Sequence, residues 1–307
     1  MIHVFYDDKF NIDLGVLNYL HPFDGLKFKK IFNSINSNQK LELHSSIPPI
    51  SMDLINEFTN ELLRMLIVEK VPVMRALEVP NIPFVNFKYL DKKVLLPMRC
   101  GVNATLKAAK LALTGEYCWN LSGGYHHASQ HSMEGFCIYN DIGITYQELI
   151  KSGELLPEDN VLIIDTDAHH GNGNARTFMD NSKIKILDVY NESIYPLTHS
   201  TRERVNFPVA LPSGVKSKQY LSSYQKVLNE LTDDYKLAFI VAGTDVLKTD
   251  KLGGMSLTVD DVVERDLITL SRLKELKVPC VFLGAGGYSK ESAESTSASI
   301  TRLSQES

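Results

Sequence analysis

The segment Asp165-Thr166-Asp167-Ala168-His169 sets two carboxylates and an imidazole at a spacing of two. On extended backbone that spacing points all three side chains to one side. Converging carboxylates repel unless a cation lies between them, and carboxylate oxygen with imidazole nitrogen suits zinc and related divalent metals. The alternative is a capped strand end with solvated Asp and His. The position directly after an apolar run, and the following His170-Gly171-Asn172-Gly173, favour the metal. Asp245 is the natural third ligand, because it too follows an apolar run; alone it would be a cap or turn residue. An Asp-His-Asp set leaves one coordination position open, as a catalytic zinc site requires. His126-His127, after Gly123-Gly124, reads beside such a centre as proton-transfer machinery, since imidazole titrates near neutral pH. Tyr288, after Gly284-Ala285-Gly286-Gly287, has a hydroxyl suited to stabilise a developing oxyanion, although a lone Tyr after a turn is more often a packed aromatic.

Short apolar runs must carry these residues. Residues 161–164, 184–187, 237–242 and 280–283 each end abruptly in polar or Gly-rich sequence, which fits strands buried on both faces. Helical patterns are expected over 51–68, 103–113, 219–231 and 260–276, and a terminal helix within 291–307. Residues 78–97, which contain prolines, read as a surface loop. Strands alternating with helices predict an α/β fold, a mostly parallel central sheet flanked by helices. Ligands of such sheets bind beyond the carboxyl ends of the strands, where the chemistry-bearing segments fall.

The chain has 307 residues, 44% hydrophobic and 22% charged, and a formal net charge of -5. That length and composition fit a single catalytic domain over residues 1–307. Mild acidity argues against a nucleic-acid partner, which needs a concentrated basic face. Cys100, Cys118, Cys137 and Cys280 form no C-x-x-C pair and read as buried free thiols in a reducing compartment. No leader pattern and no membrane-spanning run are visible, so a cytoplasmic location is expected. The glycines at 284, 286 and 287 lack G-x-G-x-x-G spacing, and the chain has neither a Walker-type phosphate loop nor a G-x-S-x-G elbow.

These ordered motifs resemble the zinc-dependent histone deacetylase family on the arginase/deacetylase fold, over most of the chain. Within it the sequence is most similar to class IV, through His21-Pro22-Phe23-Asp24, His170-Gly171-Asn172-Gly173, Asp188-Val189-Tyr190-Asn191, Ile194-Tyr195-Pro196, Ala242-Gly243-Thr244-Asp245 and Leu252-Gly253-Gly254. The resemblance implies that Asp167, His169 and Asp245 bind zinc. It implies that His127 is the general base and then acid, with His126 its electrostatic neighbour. Asp165 would hold His126 and, with Asp188, help bind a structural potassium ion. Asn172 stands where some classes have an Asp partner for the second His, so the pKa of His127 should be lower here. Tyr288 would polarise the carbonyl. Gly135, Phe136, Tyr195 and Leu252 would border the acyl-lysine tunnel, and Lys27 would line its inner end. The implied substrate is an acyl-lysine protein or peptide, with acetyl and long-chain acyl groups both open.

Three rivals are weighed against that reading. A two-metal arginase-like enzyme needs a second carboxylate two residues after Asp245, where this chain has Leu247. An acetylpolyamine deacetylase needs an acidic residue at the mouth, where Leu252 stands. A catalytically inactive acyl-lysine binder is expected to lose a ligand, the His pair or the Tyr, and this chain has them all.

Overall fold

Eight strands form one sheet in the computed structural model, which describes residues 1–13, 18 and 21–306. They are β1 (Ile2–Phe5), β2 (Leu41–His44), β3 (Tyr117–Asn120), β4 (Asn160–Asp165), β5 (Ile184–Asn191), β6 (Phe207–Leu211), β7 (Tyr235–Val241) and β8 (Cys280–Leu283). The spatial order is β2-β1-β3-β8-β7-β4-β5-β6. Every pairing is parallel, so the sheet is wholly rather than mostly parallel. Residues 161–164, 237–241 and 280–283 are buried throughout. This is the expected state of strands covered on both faces by helices.

The four expected strands are present, and four more were not foreseen. β1, β2, β3 and β6 are four or five residues long and carry polar side chains such as His3, Glu42 and Asn120. β2 and β6 are the two edges, which explains the half-exposed alternation of the first and the tolerance of Pro208 in the second.

One helix expectation and one loop expectation need correction. The 51–68 stretch is two short helices, Met52–Phe58 and Glu61–Leu66. Extended backbone at Thr59 ends the first, and Asn60 caps the second by accepting from the Leu63 N–H at 2.8 Å. The 78–97 stretch is not all loop. It is helical from Phe87, passes through one π turn at Asp91–Leu95, and enters the Leu96–Ala112 helix, which accommodates Pro97 in its first turn. The expected 219–231 and 260–276 helices run Ser217–Leu228 and Val259–Glu275, the latter opened by a Thr258–Asp261 capping box. The terminal helix is Ser292–Leu303; Ser307 lies outside the described residues.

Sheet order gathers the chemistry. Strands β3, β8, β7 and β4 are neighbours, and Asn120, Leu283, Val241 and Asp165 are in register at their carboxyl ends. The segments that follow emerge side by side. Backbone bonds then stitch them together: Ala285 N donates to Gly123 O, Thr166 N to Val241 O, and Thr244 N to Gly286 O, each at 3.0–3.1 Å. The buried Arg265 guanidinium donates to Thr166 O and Gly243 O, tying the exits of β4 and β7.

Candidate active site

The Asp165–His169 segment does not continue β4 as extended backbone. The strand ends at Asp165, and the chain bends so that Asp167 N donates to Asp165 Oδ1 and His169 N to Asp167 Oδ1. The expectation that all three side chains share one side is therefore corrected. Asp165 turns to His126, 2.8 Å from its Nδ1, whereas Asp167 and His169 turn to Asp245. His169 Nδ1 lies 2.8 Å from Asp245 Oδ2 and 3.1 Å from Asp167 Oδ1.

This trio fits a divalent cation. Two buried carboxylates share one imidazole, and burial with the Asp167 charge pushes Asp245 up to about 7. Against its own burial, hydrogen bonds to the two carboxylates raise His169 to about 11. The chain alone must keep protons in the cluster to balance its charge, and a divalent cation would replace them. Backbone geometry leaves room for one. A Cβ at Gly286 would fall on Asp167 Oδ2 and crowd Asp245 Oδ2, and a side chain at Gly286 would fill the cradle.

The tandem imidazoles differ sharply. Burial acts to lower His126, but the Asp165 and Asp167 carboxylates override it and raise its pKa to about 9. His127 is held well below 6.5 by burial and then by the charges of His126 and His169. Its Nδ1 is 2.7 Å from Asn172 Oδ1, and Asn172 Nδ2 donates to Glu134 Oε1 at 3.1 Å. That chain of bonds orients the amide with its oxygen toward His127. The His127 proton therefore sits on Nδ1, and Nε2 keeps its lone pair.

Tyr288 is half-buried, with its ring 5.6 Å from Phe136 and 6.4 Å from Phe23. Burial, with the nearby Asp167 and Asp245 carboxylates, raises its pKa well above 10, so it remains a phenol donor. Its backbone N–H donates to Asp250 Oδ2 at 2.6 Å, while Asp250 Oδ1 accepts from Leu252 N. Gly135 and Phe136 line the cavity, both at positive φ, and a Cβ at Gly135 would fall on the His127 ring. Tyr195 is 43% exposed, ring to ring with His127 at 5.2 Å, and its hydroxyl donates to Glu134 Oε2. Leu252 is also exposed. Lys27 is buried beneath the Tyr288 segment, donating to Ala285 O at 3.0 Å; burial lowers it to about 8. Asp188 meets His170 Nδ1 at 2.7 Å and the Gly171 N–H at 3.0 Å.

The cavity is lined by His127, Asp167 and Tyr288. Its walls also include Phe10, Phe28, Met74, Leu77, Val94 and Met98. Sequence reading missed this chamber, and it missed Glu134, Arg176 and Asp250. Arg176 donates to Glu134 Oε1 at 2.8 Å, completing the support behind Asn172. The adjacency of Glu134 to Gly135-Phe136 is the only sequence signal that pointed to it.

Comparison with known proteins bears on this geometry. The sequence model of the histone deacetylase domain matches residues 22–304. Histone deacetylase 2 of Arabidopsis thaliana is 31% identical over 310 residues, covering 99% of this chain and 79% of that protein. An uncharacterized protein of Picosynechococcus is 31% identical over 210 residues, 65% of this chain and 68% of its own. The crystal structure of an HDAC homolog from Aquifex aeolicus superposes with a TM-score of 0.74 at 21% identity, covering 99% of this chain and 83% of that one. At that identity the structural likeness is one of fold.

Proposed function

The chain belongs to the histone deacetylase family, and from that premise we infer that it hydrolyses the amide of an Nε-acyl-lysine in a protein or peptide. Members of the family are generally zinc-dependent amidohydrolases acting on acetyl-lysine. One observation carries the reading for this chain: His127 and Tyr288 line one cavity together with Asp167, a member of the Asp167–His169–Asp245 trio, with an unprotonated Nε2 and a phenol donor among them. A single catalytic domain over residues 1–307 and a reducing, cytoplasmic setting go with the proposal; the four cysteines are buried and free. No helix among the described residues is long and apolar enough to cross a membrane.

Zinc held by Asp167, His169 and Asp245 would supply Lewis acidity to the scissile carbonyl and to a neighbouring water. His127 Nε2 takes the proton from that water as its oxygen bonds to the acyl carbon. Tyr288 donates its hydroxyl hydrogen bond to the carbonyl oxygen as negative charge develops there. His126 remains an imidazolium, held by Asp165, and keeps His127 a weak enough base to give its proton up. His127 then passes that proton to the lysine nitrogen as the C–N bond breaks, leaving an amine and a carboxylic acid that ionises at neutral pH. A potassium ion beside Asp165 and Asp188 is supported by Asp188 Oδ1, a buried oxygen with no hydrogen-bond partner.

The acyl group proposed is a long, apolar one. Acetyl needs only a small space beyond the carbonyl, whereas the same cavity is also lined by the apolar side chains of Phe10, Phe28, Met74, Leu77, Val94 and Met98. A class IV assignment is supported by the His21–Asp24 motif, which sets His21 against Phe136 at 4.2 Å and Phe23 toward Tyr288. The test is hydrolysis of one lysine peptide carrying acetyl, octanoyl or myristoyl, with an Asp167→Ala control. Turnover peaking at the long chains and absent in the control is expected. A peak at acetyl would overturn the chain-length reading, and no turnover by the metal-loaded protein on any chain would overturn the deacylase reading.

A further inference from the structure

A second group of metal-capable side chains lies on the sheet at its β2 edge. His3 of β1 is in register with Glu42 of β2, and His44 follows two residues later on the same face. His3 Nδ1 is 3.0 Å from His44 Nε2 and 3.6 Å from Glu42 Oε2, and His44 Nε2 is 3.9 Å from Glu42 Oε1. Ligand atoms sharing one tetrahedral zinc at about 2.0–2.1 Å stand about 3.3 Å apart, and one ligand atom from each of the three side chains lies within 4.8 Å of the others.

The surroundings point to a ligand rather than to a chance contact. His3 is buried, and its other nitrogen, Nε2, lies 3.2 Å from Glu116 Oε2 in the turn before β3. A proton on Nε2 directed at that carboxylate leaves the Nδ1 lone pair aimed at the spot where His44 and Glu42 converge. A carboxylate behind the far nitrogen of a histidine is the arrangement that orients metal-binding imidazoles. The His44 ring is fixed by stacking on Phe5, with centroids 4.4 Å apart and planes within 10°. Lys107, on the Leu96–Ala112 helix, is a positive charge acting on His44, opposed there by Glu42. The two glutamates outnumber it.

We propose that His3, His44 and Glu42 form a second site for a divalent transition metal, zinc first, with Glu116 orienting His3 and the fourth coordination position left to water. Imidazole and carboxylate donors select this class of metal over calcium or magnesium, which prefer oxygen alone. The ion would pin edge strand β2 to β1. This site is independent of the proposed deacylase chemistry, since none of its residues lines the cavity.

The test uses tag-free, full-length protein, stripped with chelator, titrated with Zn2+ alone against a chromogenic competitor, and counted by elemental analysis. Wild type should bind two equivalents. Glu42→Gln, at an exposed position, and His44→Gln should each weaken one site at least tenfold while turnover stays unchanged. His169→Ala should remove the other equivalent and leave this one. A shift of the His3 and His44 ring nitrogens in nitrogen NMR on adding zinc provides a second readout. A single equivalent in wild type, or a second equivalent insensitive to both Glu42→Gln and His44→Gln, would overturn the proposal and leave an ordinary hydrogen-bonded His pair.

Discussion

His127 Nδ1 lies 2.7 Å from the amide oxygen of Asn172, whose amide nitrogen in turn donates to Glu134 at 3.1 Å. A neutral partner thus faces the imidazole at the point where a carboxylate would hold its proton. Burial, His126 and His169 all push the His127 pKa down, and Asn172 supplies only a hydrogen bond against them.

The sign of the pH dependence follows. A base is competent above its pKa, so kcat/KM of the wild type should hold steady as pH falls to 6.5 and decline only below it. A bound cation would act in the same direction. Asn172→Asp adds a negative charge beside His127 and favours its imidazolium, so the acidic limb should move up by about one to three pH units. A pH profile of both proteins checks this, and superimposable acidic limbs would refute it.

Tyr288→Phe removes the phenol donor while leaving the ring. Turnover should fall by about 10²–10³-fold, the usual loss for one oxyanion donor. Metal content should remain that of the wild type, because Tyr288 is not among the proposed ligands. Steady-state kinetics with elemental analysis separates this outcome from a folding defect.

Asp250 holds the Tyr288 and Ser289 N–H groups through one carboxylate oxygen and the Leu252 N–H through the other. Asp250→Ala should lower kcat more than it raises KM, by less than Tyr288→Phe does, since the phenol remains but is loosely placed. An unchanged kcat would show that the Tyr288 segment is held by its other contacts.

Asp245→Asn should abolish turnover and release the metal of the active centre, because a neutral amide replaces an anionic donor between Asp167 and His169. Zinc restored to chelator-treated wild type should recover activity; zinc added to the variant should not.

Met74→Trp narrows the apolar part of the cavity. Myristoyl hydrolysis should drop at least tenfold relative to acetyl hydrolysis, at a stability cost of about 1–3 kcal/mol for overfilling the site. A parallel loss on both substrates would mean that the acyl chain lies elsewhere.

Much of the site was legible in the sequence because its signals are local. An apolar run that stops at Asp165, Ala242 or Leu283 marks a buried strand, and the polar residues just after it must emerge at one sheet edge. Short strands such as Tyr117–Asn120 and Leu41–His44 escaped notice because four residues with mixed polarity carry no period; neighbouring strands, not intrinsic preference, hold them extended. Strand order was equally hidden. It is packing that sets β1 beside β3 and β8 beside β7, which brings His3 to Glu116 and Tyr288 to Asp250, while the segment after β3 crosses the sheet edge to bring His126 to Asp165. The sequence therefore determined which residues could do chemistry and at which strand ends they stand. Tertiary structure decided which of them share a proton or a cation, because those pairings join side chains from distant segments and depend on separations of a few ångströms that no local pattern encodes.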